Sequence, residues 1–415
     1  MNALATNPTL IPELEEFLAL SALSDRSFDA VFSEFCERVR AGGVSLKRAS
    51  IAWRLLDPIY FSQNIVWLSG EPMAIERFRH DPSGRPQSYL LSPLKYVIDH
   101  DISFFRRRLC ETEAPRDFPV LDEFAEIGIT DYVLMLVGFG MGEELDMPGA
   151  GIILGTSSDA PNGFTDAEIA LFQRLKFMLA LAARTQMQRE AAEQVVTTYL
   201  ASTAGRSVLG GAIRRGDGAV VDGVIWYCDL RGSTALCETL GMERYVDFLN
   251  DYFAATAGPV ADAGGEVLDF VGDAVLAIFP KGEDEVARAV AATAEVETSL
   301  AAFLERRRAD LPGRADISDV AGIAIDVGTV MYGNIGIPTR LTFSVIGSTV
   351  NRITRIERLT KTLHVPLLVT APIAATDPAR WRSCGRYALD GVSAPLEVFA
   401  EQRFVPVSGL ASSQA

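Results

Sequence analysis

The chain has 415 residues, 48% hydrophobic and 22% charged, which is too apolar for a disordered polymer and too long for one ordinary core, so two domains are expected. A net charge of −16 argues against a nucleic acid or an anionic membrane as partner, and it obliges any polyphosphate ligand to bring or find cations locally. The five cysteines (Cys36, Cys110, Cys228, Cys237, Cys384) are widely spread without a CxxC pair, which fits a reduced, cytoplasmic setting, and His80, His100 and His364 make no metal-ligand spacing.

Met1–Glu15 lacks a basic stretch and already carries acids, so no signal peptide is expected. Apolar runs are broken by charge or Gly well before the ~18 residues of a membrane span. The small, polar segments Met1–Pro8 and Ser408–Ala415 predict frayed ends. From Ile11 to Val39 the apolar spacing is helical, with a helix start at Ser27–Phe28. Arg48–Leu55 and Ile65–Trp67 read as strands and Pro82–Pro86 as a turn. Tyr132–Phe139 and Gly151–Thr156 are two more strands, separated by a Gly- and acid-rich loop. A helix then starts at Thr165 and buries Ile169, Phe172, Leu175 and Leu179.

That order predicts an α+β module over residues 1–174. Ile127–Val133, Gly151–Thr156 and the helix start Gly163-Phe164-Thr165 resemble a GAF domain. The resemblance implies a regulatory module with a small-molecule ligand or partner; a folded dimerisation module without a ligand explains the same pattern. Residues 175–217 read as a signalling helix, Leu175–Thr198, paired with its twin in a dimer, followed by a Gly- and Arg-rich boundary at Gly205–Gly218.

The remainder, 218–404, alternates differently. Gly223–Cys228 is an apolar strand ending at Asp229, and Ser233–Leu249 is helical. Val267–Phe270 and Val275–Phe279 flank a tight Gly272-Asp273 turn. Glu283–Arg308 is a long helix and Val320–Val327 a strand. Val330–Ile335 and Thr342–Ile346 flank a turn at Gly336–Arg340, Thr349–Thr360 is a helix, and Leu367–Thr370 and Leu396–Gln402 close the sheet. The expected fold is α/β, a sandwich of helices on a mixed sheet, with 405–415 a disordered tail.

Two carboxylates stand out. Asp229 ends one buried strand and Asp273 sits in the turn before another, so both ride on rigid supports and can share divalent cations. Gly232-Ser233-Thr234 opens a helix whose free N–H groups can hold phosphate oxygens. Asp229-Leu230-Arg231-Gly232-Ser233-Thr234, Phe270-Val271-Gly272-Asp273-Ala274-Val275-Leu276, and Val350-Asn351 with Arg355 four residues on, in that order, resemble the class III adenylate/guanylate cyclase homology domain. The resemblance implies a ferredoxin-like palm and two Mg²⁺ or Mn²⁺ ions on Asp229, Asp273 and the backbone of Leu230. It implies Asn351 orienting the ribose and Arg355 stabilising charge on the phosphorus. It also implies a homodimer whose sites lie at the interface. Arg340 lies near a triphosphate-contacting arginine of that family. The family's triphosphate lysine is expected near Leu389–Val392, where Asp390 stands instead.

Base choice stays open in the sequence. Asp269 occupies the place where adenylate cyclases carry a lysine, and Ser344 the place of their Asp or Thr. A carboxylate repels the adenine N1 lone pair but accepts from guanine N1 and N2, and Ser344 can donate to O6. The family default is ATP, with GTP close behind, and a pyrimidine N3–H also suits Asp269. The rival expectations are a degenerate cyclase domain that binds nucleotide or only dimerises, and a diguanylate-cyclase-like or polymerase-like palm enzyme, against which the Asn351…Arg355 helix argues.

Overall fold

The computed structural model describes residues 9–80, 86–111, 114–139 and 151–404. The expected frayed ends, the tail 405–415, the loop before Gly151 and all but Pro86 of the Pro82–Pro86 turn lie outside the described residues. Chain packing divides the protein into two units, Met1–Val195 and Val196–Ala415.

In the first unit, α1 (Leu10–Ala22) and α2 (Phe28–Ala41) precede β1 (Leu46–Arg54), β2 (Tyr60–Leu68) and β3 (Ala74–Arg79). After α3 (Gln87–Leu90), α4 (Pro93–Asp99), β4 (Phe104–Arg107) and α5 (Pro119–Glu126) come β5 (Asp131–Gly138), β6 (Gly151–Ser158) and α6 (Asp166–Tyr199). The six strands form one antiparallel sheet, ordered β3-β2-β1-β6-β5-β4. One face packs Ile51, Val133 and Leu154 against Phe32, Phe35 and Phe172; the other is covered by Leu121 and Phe124. Alternation of side chains along each strand explains both layers.

The start of α6 is fixed by a capping box. The Thr165 hydroxyl accepts from the Glu168 N–H, and the Glu168 carboxylate accepts from the Thr165 N–H at 2.8 Å. Fully buried Asp131 accepts from Arg106 at 2.7 Å and from the Phe164 N–H at 2.9 Å, tying that helix start to the sheet.

The second unit opens with α7 (Ser202–Leu209) and β7 (Gly218–Leu230), then α8 (Ser233–Leu240), α9 (Met242–Asp262), β8 (Glu266–Val271), β9 (Ala274–Pro280) and α10 (Glu285–Arg306). It continues through β10 (Ala321–Ile337), β11 (Arg340–Ile346), α11 (Ser348–Leu363), β12 (Leu367–Thr370), α12 (Ala371–Ala374), β13 (Trp381–Tyr387) and β14 (Leu396–Glu401). The sheet order is β13-β14-β12-β10-β7-β9-β8, with β11 hairpinned onto β10 and only β10–β12 parallel.

The period-2 pattern of β7 assigns its faces. Val224, Trp226, Cys228 and Leu230 join the core under α9 and α10, where the Trp226 indole donates to Thr293 at 3.0 Å. Ile225 and Tyr227 face the other way, toward Ile353 and Ile356 of α11. Asp229, by the same parity, lies on the α11 face.

Several elements differ from the sequence expectation. Gly241, at φ 75°, splits the expected Ser233–Leu249 helix into α8 and α9. The break expected after Val327 is absent: β10 runs 17 residues, because β7 pairs with it continuously from Leu230↔Ala321 to Gly218↔Gly333. Gly328 serves the approach of α11 instead, since a Cβ there would sit 2.4 Å from the Thr349 hydroxyl. Strands β3, β4 and β13 lack a clear alternation in sequence and are fixed by pairing with β2, β5 and β14.

Candidate active site

Asp229 and Asp273 are brought to neighbouring strands. Asp229 pairs directly with Ala274 of β9, and Asp273 is the next residue, in the turn whose Gly272 takes φ 67°. Cross-strand partners stand about 5 Å apart, so the two carboxylates share one sheet end. Burial, and next the Asp273 charge, push the Asp229 carboxyl up to about 6, while Arg358, Arg231 and a hydrogen bond from the Leu230 N–H pull it down. Among the described residues no three His, Cys, Asp or Glu side chains gather as a metal set. The pair is therefore a two-carboxylate site. Its hard oxygens and mutual repulsion fit Mg²⁺ or Mn²⁺, with phosphate, backbone or water oxygens filling the remaining positions.

Immediately beyond, Gly232 caps α8 in the left-handed conformation at φ 67°, without a side-chain cap bond. The first N–H groups of α8, from Ser233 and Thr234, lack helical acceptors and open an anion-binding end beside the acids. Tyr245 of α9 lies close enough to feel Ser233 and Asp273. A cation absent from the sequence expectation also stands here. Arg314 Nη2 would be 3.0 Å from a Cβ on Gly232, and burial lowers the Arg314 pKa. Only the fold reveals it, because Arg314 lies in the loop before β10.

Asn351 and Arg355 lie one turn apart on α11, and the Arg355 guanidinium donates to the Asn351 carbonyl at 2.7 Å. Their direction follows from how α11 lies along β10. Thr349 sits at Gly328, Arg352 bonds Asp326 at 2.6 Å, and Glu357 and Thr360 sit at Gly322, so helix and strand run antiparallel. Gly322 is the cross-strand partner of Asp229. Asp229 is therefore level with Glu357. At 3.6 residues per turn Arg355 is about 200° around the helix from Glu357, and Asn351 is about 240° around and about 9 Å along it. Both point away from the chain's own acid pair. Arg355 lies instead beside the loop after β13, where a Cβ on Gly391 would be 3.7 Å from its Nη2.

Asp269 pairs with Leu276 across a bulge between Val267 and Asp269, and its charge raises the Tyr332 pKa behind burial and Glu266. Ser344 pairs with Gly333, while Phe343 and Val345 pack with Tyr332, so parity turns Ser344 to the other face of the β10–β11 hairpin. Arg340 is exposed at the hairpin tip, at the opposite end of β10 from Gly322. Within one chain, neither Ser344 nor Arg340 joins the acid pair.

Sequence reasoning also missed Glu357, buried at 6% exposure beside Asp229. Its signal was present: it occupies the i+4 place in the stripe Ile353, Ile356, Glu357, Thr360 that α11 buries.

No protein-family model matches the chain. The "Adenylate cyclase" of Anabaena cylindrica is 33% identical over 150 residues, 36% of this chain and 29% of that protein. "Adenylate cyclase 2" of Rhizobium meliloti (strain 1021) is 34% identical over 154 residues, 36% of this chain and 40% of that protein. The chain thus spans less than half the length of these curated relatives. Among solved structures, the adenylyl cyclase CyaB from P. aeruginosa aligns at TM-score 0.39 and 24% identity, covering 46% of this chain and 99% of that one. The guanylyl cyclase Cya2 aligns at TM-score 0.37 and 28% identity, covering 44% and 92%. Over roughly the C-terminal half the chain is thus similar in sequence to adenylate cyclases, in line with a class III adenylate/guanylate cyclase domain there. The similarity does not identify the N-terminal unit as a GAF domain; that unit is an antiparallel α+β sheet of unassigned type. No helix of the described residues is long and apolar enough to cross a membrane.

Proposed function

We propose that the chain is a nucleotidyl cyclase that converts a nucleoside triphosphate into a 3′,5′-cyclic monophosphate and pyrophosphate. The observation that carries this reading is the Asp229–Asp273 pair at one sheet end, followed by the open N-terminus of α8. Asp229, Asp273 and the Leu230 backbone would hold two Mg²⁺ or Mn²⁺ ions, which would neutralise the triphosphate and acidify the ribose 3′-hydroxyl. Gly232, Ser233 and Thr234 hold phosphate oxygens through their N–H groups. Asn351 orients the ribose and Arg355 stabilises charge on the α-phosphorus as the O3′–P bond forms and the bond to pyrophosphate breaks. The hydroxyl proton passes to solvent.

In this reading each site takes its acids from one protomer and Asn351 and Arg355 from the other. The outward direction of the latter pair supports that sharing. An exposed apolar row supports a second copy as partner: Ile346, Met331 and Val220, paired directly across β11, β10 and β7, are 51%, 40% and 70% exposed. Arg340 and Ser344, turned from their own chain's acids, would serve the partner's site. ATP is the default substrate; Asp269 keeps GTP close behind it. The first unit, GAF-like in sequence, would regulate the dimer through α6, with a small-molecule ligand or partner as its signal, in a cytoplasmic enzyme.

The test is incubation of the purified protein with ATP, GTP, CTP and UTP in turn with Mn²⁺, and identification of products by mass. Loss of all product in Asp229→Ala is expected; no cyclic product from any triphosphate would sink the reading. A second reading, a degenerate domain that binds nucleotide without turning it over, is favoured by Asp390 standing at the expected lysine position. It predicts nucleotide-dependent stabilisation without product.

A further inference from the structure

Glu357 is buried beside Asp229 with no ion-pair partner among the described residues, although three arginines lie close by in the sequence of α11. Its one hydrogen bond is weak, from the Thr360 hydroxyl at 3.4 Å. The Thr360 hydroxyl in turn accepts from Arg231 Nη2 at 2.9 Å. The niche that holds this carboxylate is made by a missing side chain. A Cβ on Gly322 would stand 2.2 Å from Glu357 Oε1 and 2.4 Å from Thr360 Oγ1. Gly322 is the residue paired with Asp229, and paired residues share a face of the sheet. Glu357 therefore fills the place of the side chain opposite Asp229.

A buried acid placed beside a second acid opposes folding unless something offsets the two charges. Arg231 and Arg358 offset part through space, but neither bonds the acid: Arg231 donates to Thr360, and its own Nε is buried without an acceptor. Arg352, five residues earlier, is already committed to Asp326. The acid, which has no ion pair of its own, faces the end of β7 where the proposed cations bind.

We infer that Glu357 is an outer carboxylate of the metal site, a positioning residue that acts through Asp229. Seated in the Gly322 gap and held by the Thr360–Arg231 link, it adds negative charge behind Asp229 and raises divalent-cation affinity without touching the ion. The inference rests on the metal reading of Asp229 and Asp273. It assigns Gly322 a function as well: no larger residue leaves room for the acid.

The experiment compares the full chain with Glu357→Gln, which keeps shape and removes charge, and with Asp229→Asn. Each is melted without metal and across a Mn²⁺ titration, with no nucleotide present. Wild type is expected to gain melting temperature with Mn²⁺, and Asp229→Asn to gain little. Glu357→Gln is expected to melt at or above the wild-type temperature without metal, because a like-charge contact is relieved, yet to need about fivefold more Mn²⁺ for half its shift. That factor is about 1 kcal/mol, the scale of a single charge's pull in a water-like dielectric. A purely structural Glu357 gives the reverse, a lower melting point without metal and unchanged Mn²⁺ dependence, and that result overturns the inference while leaving the metal reading intact. A wild-type shift independent of Asp229 removes both. Should Glu357→Gln not fold, Glu357→Met, which needs no partner in the niche, supplies the same comparison.

Discussion

Mixing two inactive chains tests the shared site most directly. Asp273→Ala removes one of the paired acids, and Arg355→Ala removes the guanidinium on the outward side of α11. Losing a preorganised charge-stabilising donor such as Arg355 costs about 10²–10³ in rate, and losing Asp273 removes a carboxylate proposed to hold the cations, so each variant alone should fall near background. The structure predicts what a mixture does. Asp229 is level with Glu357, because both meet at Gly322, and Arg355 stands about 200° around the helix from Glu357. One chain thus cannot aim both halves at one substrate. In a two-fold dimer, a heterodimer of the variants has one site with both defects and one with neither. Random exchange makes about half the dimers heterodimers, each with one of two sites whole, so about a quarter of wild-type product formation should return. The assay is product mass with Mn²⁺ after equal mixing and exchange, with heterodimer formation verified by native mass spectrometry. Verified heterodimers that make no more product than the two variants separately would refute the geometric reasoning.

Three further outcomes follow from particular contacts. Asp269→Lys should move preference toward ATP over GTP by tenfold or more in kcat/KM, because a lysine donates to adenine N1 where a carboxylate repels it; an unmoved ratio means Asp269 does not reach the base. Asp326, 2% exposed, takes both Arg352 and the Thr370 hydroxyl at 2.6 and 2.7 Å, so Asp326→Ala, which leaves Arg352 only the Val327 carbonyl and Thr370 no acceptor there, should cost about 2 kcal/mol in urea unfolding of the second unit. Gly328→Val should be similarly damaging, because its Cβ would meet the Thr349 side chain and lift α11 from β10, visible as lost unfolding cooperativity and lost activity together.

Much of the candidate site was legible because its parts are local. Asp229 ends a run of apolar residues, Asp273 follows Gly272 between two such runs, and Asn351 and Arg355 are spaced by one helical turn. Each pattern is written within a few consecutive residues, and strand or helix period alone sets where those side chains go. The same holds for α6, whose start is capped by Thr165 and Glu168, three residues apart.

What only the tertiary structure decided are relations between residues far apart in the chain. The strand expected to end at Val327 runs on through β10, where Gly328 is a seat for Thr349; β13 has no alternation of its own and exists because β14 pairs with it. The sequence carried no sign that Gly322 and Glu357, 35 positions apart, would interlock opposite Asp229, or that Arg314 would stand against Gly232. Local period determines which face a side chain takes; pairing register and helix approach determine whose atoms share that face, and those are settled by the packing of the whole unit.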